Sequence, residues 1–437
     1  MLRRVRITGY KSLADVQVET KPLTVLFGPN SAGKSNFLDA LQLLSRITTS
    51  KSLKSAFDPP YRGKPLESFT FGPSGVADLI ARDSASFALE VDVELSQALI
   101  DRVNRQITEM RRPTDEAEQA ISQPASATVR ERHLRYRIEI QVIPRSGIIR
   151  VIDEKLAALT SLGDESKARK PFLERVKHRL HLRMEHQAHP TYYDQYLDHS
   201  VLSTNLYAPH YPHMVAMREE LSEWFFFYLE PRERMRSPNP VKEATSIGVM
   251  GEDLASYLNT LQATNEPQFR SFKMALHAMI PTIEDIRVEV NLKGEAEIRV
   301  TESGRDVPAS VISEGTLRIM GLLAMNSARA LPSVIGFEEP ENGIHPARIT
   351  LIAKLLSGVS DNASTTLIIT THSPLLLDLL PSGSLYAVTK EGGNTTVKPF
   401  TARMGELSKK SDIELGLDDV PALPVSQLVR RGDFDAA

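Results

Sequence analysis

The sequence predicts an α/β fold with a mixed sheet, an antiparallel flank and a largely helical insertion. Three observations lead to this fold class. An apolar strand, a glycine-rich loop and a helix follow one another over residues 23–44. Strand and helix patterns alternate between residues 311 and 380, as they do in parallel sheets joined by crossover helices. Residues 2–20 and 87–143 contain strands in which apolar and polar residues alternate, which is typical of antiparallel sheets.

The glycine-rich loop at residues 28–35 has the phosphate-binding pattern G-x-x-x-x-G-K-S. The glycines let backbone N–H groups turn toward one point, and the following helix directs its positive end there. We expect Lys34 to reach the β- and γ-phosphates and Ser35 to bind Mg²⁺ through its hydroxyl. The predicted nucleotide-binding residues are Gly28, Pro29, Asn30, Ser31, Ala32, Gly33, Lys34, Ser35 and Asn36.

Composition excludes several classes of protein. The 437 residues are 41% hydrophobic and 24% charged, as in ordinary globular chains. A net charge of -3 gives no overall basic field for a nucleic acid, and the absence of cysteine excludes disulfides, thiolate zinc sites and cysteine nucleophiles. No apolar segment follows the N-terminal arginines and no eighteen apolar residues run together, so we expect a soluble, cytoplasmic protein without a membrane partner.

The first half of the chain is predicted to contain strands that are interrupted by inserts. Strands are predicted within residues 2–20, 87–93 and 134–143, and a polar surface excursion over residues 48–75. The aromatic block at residues 224–228 is expected to be core. Helical or irregular inserts are predicted over residues 96–132 and 154–196.

Residues 96–190 carry a local positive charge, with 18 Lys and Arg against 13 Asp and Glu. They form either a solvated helical arm or a shallow basic face for nucleic acid or an acidic partner. The spacing of the local histidines matches no metal motif; they are His133, His178, His181, His186 and His189.

The second half is more regular. Helices are predicted at 254–261 and 269–280, followed by a hairpin around Lys293 and Gly294. A helix from residue 311, a strand at 333–337, a helix at 347–356, a strand at 366–370, a helix at 373–380 and a hairpin at 385–400 complete the pattern. We therefore predict one nucleotide-binding domain split between residues 1–95 and 236–400, a mainly helical insert at 96–235, and a C-terminal tail at 401–437.

Three more motifs follow the phosphate-binding loop along the chain. SEGT, which starts at Ser313, opens a helix; FEEPENGIHP places Glu338 and Glu339 at the end of a strand; TTHSP places His372 at the end of another. Hydrolysis of a nucleotide requires metal charge to be balanced and a carboxylate to act on the attacking water. Taken singly, these motifs are also compatible with a helix cap, solvated acids and a core histidine.

The order of these four motifs resembles the ATP-binding cassette (ABC) ATPases, and within them the RecF, SMC and OLD-like branch of stand-alone ATPases from bacterial defence and repair loci. The resemblance covers residues 1–95 and 310–390. It implies a P-loop NTPase with an ABC-type core that binds ATP and Mg²⁺.

The same resemblance implies roles for individual residues. Glu338 takes the Mg²⁺-side position, Glu339 is the base that orients the attacking water, and His372 is the switch histidine that contacts the γ-phosphate. A signature turn contacts the γ-phosphate bound to the opposite subunit of a homodimer or higher oligomer; its residues are Ser313, Glu314 and Gly315.

The sequence departs from the family pattern in two places. Glu338 stands where the family usually has aspartate, and no metal-sensing glutamine occurs between residues 48 and 93. The long insert between Ser35 and Ser313 disfavours a transporter subunit, and the absence of sustained heptads excludes long SMC-type coiled coils. The short stretch after His372 lacks an Asp-x-Asp delivered by an apolar strand, so the chain should not itself be a Toprim nuclease.

These observations predict an ATPase, converting ATP and water to ADP and phosphate, that dimerises on ATP. We expect it to control a separate effector protein, for example a nuclease, in anti-phage defence or DNA maintenance. The alternative is a RecF-like repair ATPase that binds DNA ends or gaps through the basic insert. Salt-dependent DNA binding would distinguish the two.

Overall fold

The computed structural model describes residues 1–110, 128–185, 190–194, 196–327, 331–361, 365–400 and 425–430. The chain divides into two compact units. Unit 1 comprises residues 1–21, 31–224 and 388–397, and unit 2 comprises residues 22–30, 225–387 and 398–437. Among the residues described, none of the helices combines the length and apolar character needed to cross a membrane.

Unit 1 is built on an antiparallel eight-stranded sheet of order β2-β1-β4-β5-β6-β7-β8-β9. Its strands are β1 (Leu2–Tyr10), β2 (Leu13–Glu19), β4 (Ala85–Glu94), β5 (His133–Ile143), β6 (Ile148–Ala158), β7 (Leu173–Val176), β8 (Arg179–Leu182) and β9 (Thr191–Tyr193), whereas β3 (Leu23–Phe27) belongs to unit 2. The helices are α1 (Lys34–Thr49), α2 (Leu53–Ala56), α3 (Val76–Ile80), α4 (Gln97–Met110) and α5 (Pro212–Ser222). The antiparallel flank predicted from β1, β2, β4 and β5 is therefore confirmed.

The prediction of a largely helical insert holds only in part. Helices α4 and α5 lie within it, but residues expected to be helical or irregular contribute part of β6 and all of β7, β8 and β9. Strands β7 and β8 have four residues each, too few for alternation to be told from helical spacing. Pairing with neighbouring strands, which satisfies their backbone groups, decided their structure. His186 and His189 lie outside the described residues.

A second sheet has the order β10-β15-β16-β3-β17-β18, and its first five strands pair in parallel. These strands are β10 (Phe225–Phe227), β15 (Val334–Glu338), β16 (Thr366–Thr371), β17 (Leu385–Glu391) and β18 (Asn394–Pro399), with β3 between β16 and β17. Strands β3 and β16 are predicted from short apolar runs, and every residue of both is buried. Such burial is expected for parallel strands that are covered on both faces.

Unit 2 also contains a smaller sheet and several helices. A smaller antiparallel sheet contains β11 (Asn239–Pro240), β12 (Ile283–Val290), β13 (Glu295–Glu302) and β14 (Arg305–Pro308). The helices are α6 (Leu254–Thr264), α7 (Glu266–Met279), α8 (Glu314–Asn326), α9 (Ile349–Ser360), α10 (Pro374–Leu379) and α11 (Val425–Arg430). Apart from α11, these helices, the β12–β13 hairpin and the alternating strands lie where the sequence predicts them. Of the predicted tail, only α11 belongs to the described residues.

Candidate functional site

The register of the parallel strands brings three functional segments of unit 2 to one edge of the sheet. Phe27, the last residue of β3, pairs with Thr371, the last residue of β16. Glu338, at the end of β15, pairs with Thr370. The carboxyl edge of such a sheet is where α/β proteins bind ligands. Residues 28–30 of the phosphate-binding loop, the acidic pair and His372 therefore extend from neighbouring strand ends.

Glu339 and His372 contact each other at this edge. The His372 Nε2 atom lies 2.9 Å from Glu339 Oε1, and the two side chains are 34% and 33% exposed, so both are accessible. Glu339 has a φ of +47°, an unfavourable value for a residue with a Cβ atom. Its amide donates a hydrogen bond to the Thr370 carbonyl at 3.0 Å, which helps to hold this strained conformation. Backbone strain of this kind is concentrated at functional sites.

Glu341 links the acidic loop to the histidine, and the sequence analysis did not single it out. Its buried Oε1 accepts hydrogen bonds from the Thr371 hydroxyl at 2.5 Å and from the His372 amide at 3.3 Å. Oε2 has no hydrogen-bond partner among the residues that the structure describes. Burial raises the pKa of the Glu341 carboxyl. The available signal was a third acid in FEEPENGIHP, two residues after Glu339.

Arg318 is a second residue that the sequence analysis missed. It lies on α8, and one guanidinium nitrogen donates to the Leu229 carbonyl at 3.3 Å. Burial lowers the pKa of Arg318, while the charges of Glu339 and Glu341 act in the opposite direction. This arginine therefore contributes positive charge to the acidic edge.

The SEGT turn caps α8, which is the helix-cap alternative given for this motif in the sequence analysis. The Ser313 hydroxyl accepts from the Thr316 amide at 3.1 Å and donates to the Thr316 hydroxyl at 2.8 Å. Glu314 pairs with Arg232 at 2.9 Å. A Cβ atom on Gly315 would lie 2.5 Å from the Gly343 carbonyl oxygen, so only glycine allows this turn to approach the acidic loop so closely.

A cavity of about 320 Å³ opens beside the acidic loop within unit 2. Its lining includes Glu339, Glu341 and Asn342 from the loop, and His372 and Ser373 from the end of β16. The acid and histidine side chains are thus presented to a space large enough for a ligand group.

Residues 31–36, which comprise the second half of the phosphate-binding loop and the start of α1, belong to unit 1. Ser31 and Gly33 have φ values of +62° and +107°. A Cβ atom on Gly33 would lie 2.1 Å from the Thr395 hydroxyl oxygen, so a side chain at this position would collide with Thr395. Helix α1 begins at Lys34, which is only 4% exposed, and its first turn contains no acidic residue and no side-chain cap. This cationic helix start fits a phosphate group.

The remaining predicted residues of the loop are polar or small. Asn36 lies in the first turn of α1, where its amide donates to the Ser12 hydroxyl at 2.8 Å. Ser35, also in this turn, carries the hydroxyl that the motif assigns to Mg²⁺. The Lys34 ammonium and the Ser35 hydroxyl are chemically suited to a magnesium nucleotide, and the Glu338 carboxylate of unit 2 is of the ligand type that Mg²⁺ prefers.

Comparison with solved structures finds heads of Smc proteins at low sequence identity. An Smc head bound to the C-terminal winged-helix domain of ScpA is 13% identical, with a TM-score of 0.45, over 91% of this chain and 96% of that one. The SMC head from Thermotoga maritima is 12% identical, with a TM-score of 0.41, over 91% and 98%. An Smc head from Pyrococcus furiosus with an extended coiled coil, bound to the C-terminal domain of ScpA, is 12% identical, with a TM-score of 0.48, over 94% and 99%.

Sequence comparison gives two further findings. The chromosome partition protein Smc of Rhodopirellula baltica is 36% identical over 97 residues, which are 21% of this chain and 8% of that much longer protein. The family model described as "AAA domain, putative AbiEii toxin, Type IV TA system" matches residues 23–142 and 204–378. The matched residues make up more than half of the chain and include the ends of β3, β15 and β16, so the chain belongs to this family of P-loop ATPases.

Proposed function

We propose that this ATPase is a nucleotide-dependent switch that hydrolyses ATP, dimerises when ATP is bound and controls a separate effector protein. The observation that carries the proposal is the contact between Glu339 and His372 at the sheet edge where β3 leads into the phosphate-binding loop. A carboxylate and a histidine that meet beside a phosphate-binding loop are suited to hydrolysis rather than to nucleotide binding alone.

In the proposed reaction, Lys34 and the start of α1 would bind the phosphates, and Ser35 and Glu338 would hold Mg²⁺, which would balance the phosphate charge. ATP supplies the phosphoanhydride bond that water cleaves to give ADP and phosphate. Glu339 acts as the base. Because its Oε1 is held by His372 Nε2, Oε2 is the atom that accepts the proton of the attacking water. His372 keeps the carboxylate oriented.

Dimerisation would complete the site. Ser313, Glu314 and Gly315 lie at the start of α8, and the N-terminal end of a helix attracts anions. We propose that each signature turn contacts the γ-phosphate bound by the other subunit, giving a closed two-fold pair with two composite sites or a higher oligomer built from such pairs.

The biological role is proposed from the family and from the organisation of the chain. The description of the family, with its toxin and type IV toxin–antitoxin system, favours anti-phage defence over DNA maintenance. We place the core in residues 1–95 and 236–400 and recognition of the cytoplasmic effector, such as a nuclease, in residues 96–235. Residues 401–437 are proposed as an accessory tail.

Light scattering of two variants tests the switch. Glu339→Gln should bind Mg-ATP, hydrolyse it more slowly by at least roughly a hundred-fold, in line with the loss of a positioned base, and accumulate as an ATP-dependent dimer. Adding Ser313→Arg should return this variant to the smaller species, because the larger side chain blocks the shared contact. Glu109→Gln, an exposed change on α4, serves as the control and should behave as wild type. Equal masses with and without ATP in all variants would contradict the switch.

A second candidate is the DNA-repair ATPase, favoured by one feature of unit 1. The Arg150 guanidinium lies 3.7 Å from the ring centroid of Tyr196, and that of Arg179 lies 5.9 Å from Tyr192. The two tyrosines are 51% and 52% exposed, and such faces can stack on unpaired bases. An affinity for single-stranded DNA that falls steeply with salt, and that Arg150→Ala with Arg179→Ala reduces, would favour this candidate over the effector switch.

A further inference from the structure

We propose that Thr395 and Ser12 are positioning residues that fix the second half of the phosphate-binding loop. The inference rests on the proposed nucleotide site, and it assigns a role to two residues from segments outside the motif. Ser12 lies in the turn between β1 and β2, and Thr395 lies in β18, far along the chain. Both belong to unit 1, as do residues 31–36.

Two hydrogen bonds connect these residues to the loop segment, and a third joins the two residues to each other. The Thr395 hydroxyl donates to the Ala32 carbonyl at 2.7 Å. The hydroxyl oxygens of Ser12 and Thr395 lie 2.7 Å apart, and the Asn36 side-chain amide donates to the Ser12 oxygen at 2.8 Å. In addition, the Thr395 amide donates to the Ser12 carbonyl at 2.8 Å, which holds the two residues together through their backbones.

The number of available hydrogens determines which group donates in each of these side-chain hydrogen bonds. A hydroxyl has one hydrogen, and that of Thr395 is given to the Ala32 carbonyl. Ser12 must therefore donate its hydrogen to the Thr395 oxygen, which leaves the Ser12 oxygen to accept from Asn36. The result is a chain of hydrogen bonds that all donate in the same direction. It runs from the first turn of α1, through Ser12 and Thr395, to the carbonyl that precedes Gly33.

This hydrogen-bond chain fixes the orientation of the peptide group between Ala32 and Gly33. The Ala32 carbonyl and the Gly33 N–H belong to one planar trans peptide, so they point in opposite directions. Holding the carbonyl against Thr395 therefore turns the Gly33 N–H to the opposite side of the loop. In a phosphate-binding loop, the N–H groups are the ligands of the phosphates.

The close packing supports the same assignment. Thr395 is 2% exposed, so water cannot readily replace its hydroxyl as the partner of Ala32. The next residue, Thr396, bonds instead to the Thr389 hydroxyl at 2.9 Å, away from the loop. The chain thus offers neighbouring threonines with different partners, which makes a matched pair of variants available.

The test measures binding of Mg-ADP, which the protein cannot hydrolyse, by isothermal titration calorimetry. Thr395→Val keeps the side-chain shape but removes the hydroxyl, and the Kd should rise roughly ten-fold, as expected when a buried carbonyl loses its donor. Thr395→Ser should restore binding, and Thr396→Val should bind as wild type. Ser12→Ala should weaken binding in the same direction, and combining it with Thr395→Val should add little, because both changes break one network.

The outcomes separate the inference from the proposed function. Wild-type affinity in a folded Thr395→Val variant would overturn the positioning role while leaving the nucleotide site intact. If Thr395→Val does not fold, Ser12→Ala decides, and unchanged affinity in that variant overturns the inference. A wild-type protein that does not bind Mg-ADP would instead contradict the nucleotide site itself.

Discussion

The second half of the phosphate-binding loop and the acidic edge of unit 2 are stabilised in opposite ways. Around the loop, neutral hydroxyl, amide and carbonyl groups satisfy one another in a continuous chain from Asn36 to Ala32. At the acidic edge, Glu339 has a strained backbone and the buried Glu341 has one carboxyl oxygen without a partner among the described residues. A fully satisfied network holds a fixed shape, whereas backbone strain is concentrated at active sites and switch regions.

This difference matches the tasks proposed for the two regions. A loop that binds the permanent charge of phosphates needs N–H groups in fixed directions and no proton transfer. A base needs a carboxylate whose protonation responds to its surroundings. The comparison therefore predicts that changes in the loop alter nucleotide affinity, while changes at the acidic edge alter turnover and pH dependence.

The largest expected effect is on affinity, and it comes from the loop. Lys34→Ala should weaken Mg-ATP binding by about a hundred-fold or more, because it removes the buried ammonium that we propose contacts the phosphates. Lys51→Ala, which removes an exposed lysine just beyond α1, should leave affinity unchanged. Calorimetric titration measures both variants, and equal affinities would exclude Lys34 from the nucleotide site.

A smaller effect is expected at the acidic edge, and it should appear in kcat rather than in KM. Glu341→Ala deprives the Thr371 hydroxyl and the His372 amide of their acceptor, so kcat should fall roughly ten-fold as His372 loses its position. Glu341→Gln retains an acceptor oxygen and should keep most of the activity. A steady-state ATPase assay distinguishes the variants. If Glu341→Ala raised KM alone, the assignment of the two regions to different tasks would be wrong.

The smallest effect is a change of stability with pH. Because burial raises the pKa of Glu341, the folded protein holds this proton at pH values where the unfolded chain has lost it. Stability should therefore fall as pH rises from the usual range of a glutamate toward the raised value. Glu341→Gln cannot titrate, so the Tm of wild type should decline relative to that of this variant over the same interval. Burial also raises the pKa of Glu154, but this residue is present in both proteins and its effect cancels in the difference. Parallel Tm curves from about pH 4 to about pH 8 would show that folding does not shift the pKa of Glu341.

Much of the fold was predictable because local sequence patterns identify the strands, helices and loops that form the parallel sheet. The phosphate-binding motif, the apolar runs of β3, β15 and β16 and the helices between them specify a parallel sheet with Glu338, Glu339 and His372 at strand ends. Parallel strands deliver their carboxyl ends to one edge, so the grouping of the acids and the histidine followed from topology alone.

The sequence by itself thus determined which residues follow which strands, since periodicity and motif spacing are local properties. Tertiary structure decided which groups pair. The four-residue strands β7 and β8 carry too little pattern to be recognised, and the contacts of Thr395 with Ala32 and of Glu341 with Thr371 join segments far apart in the chain. Their hydrogen bonds depend on burial and on the register of neighbouring strands, and neither is encoded in the spacing of any one segment.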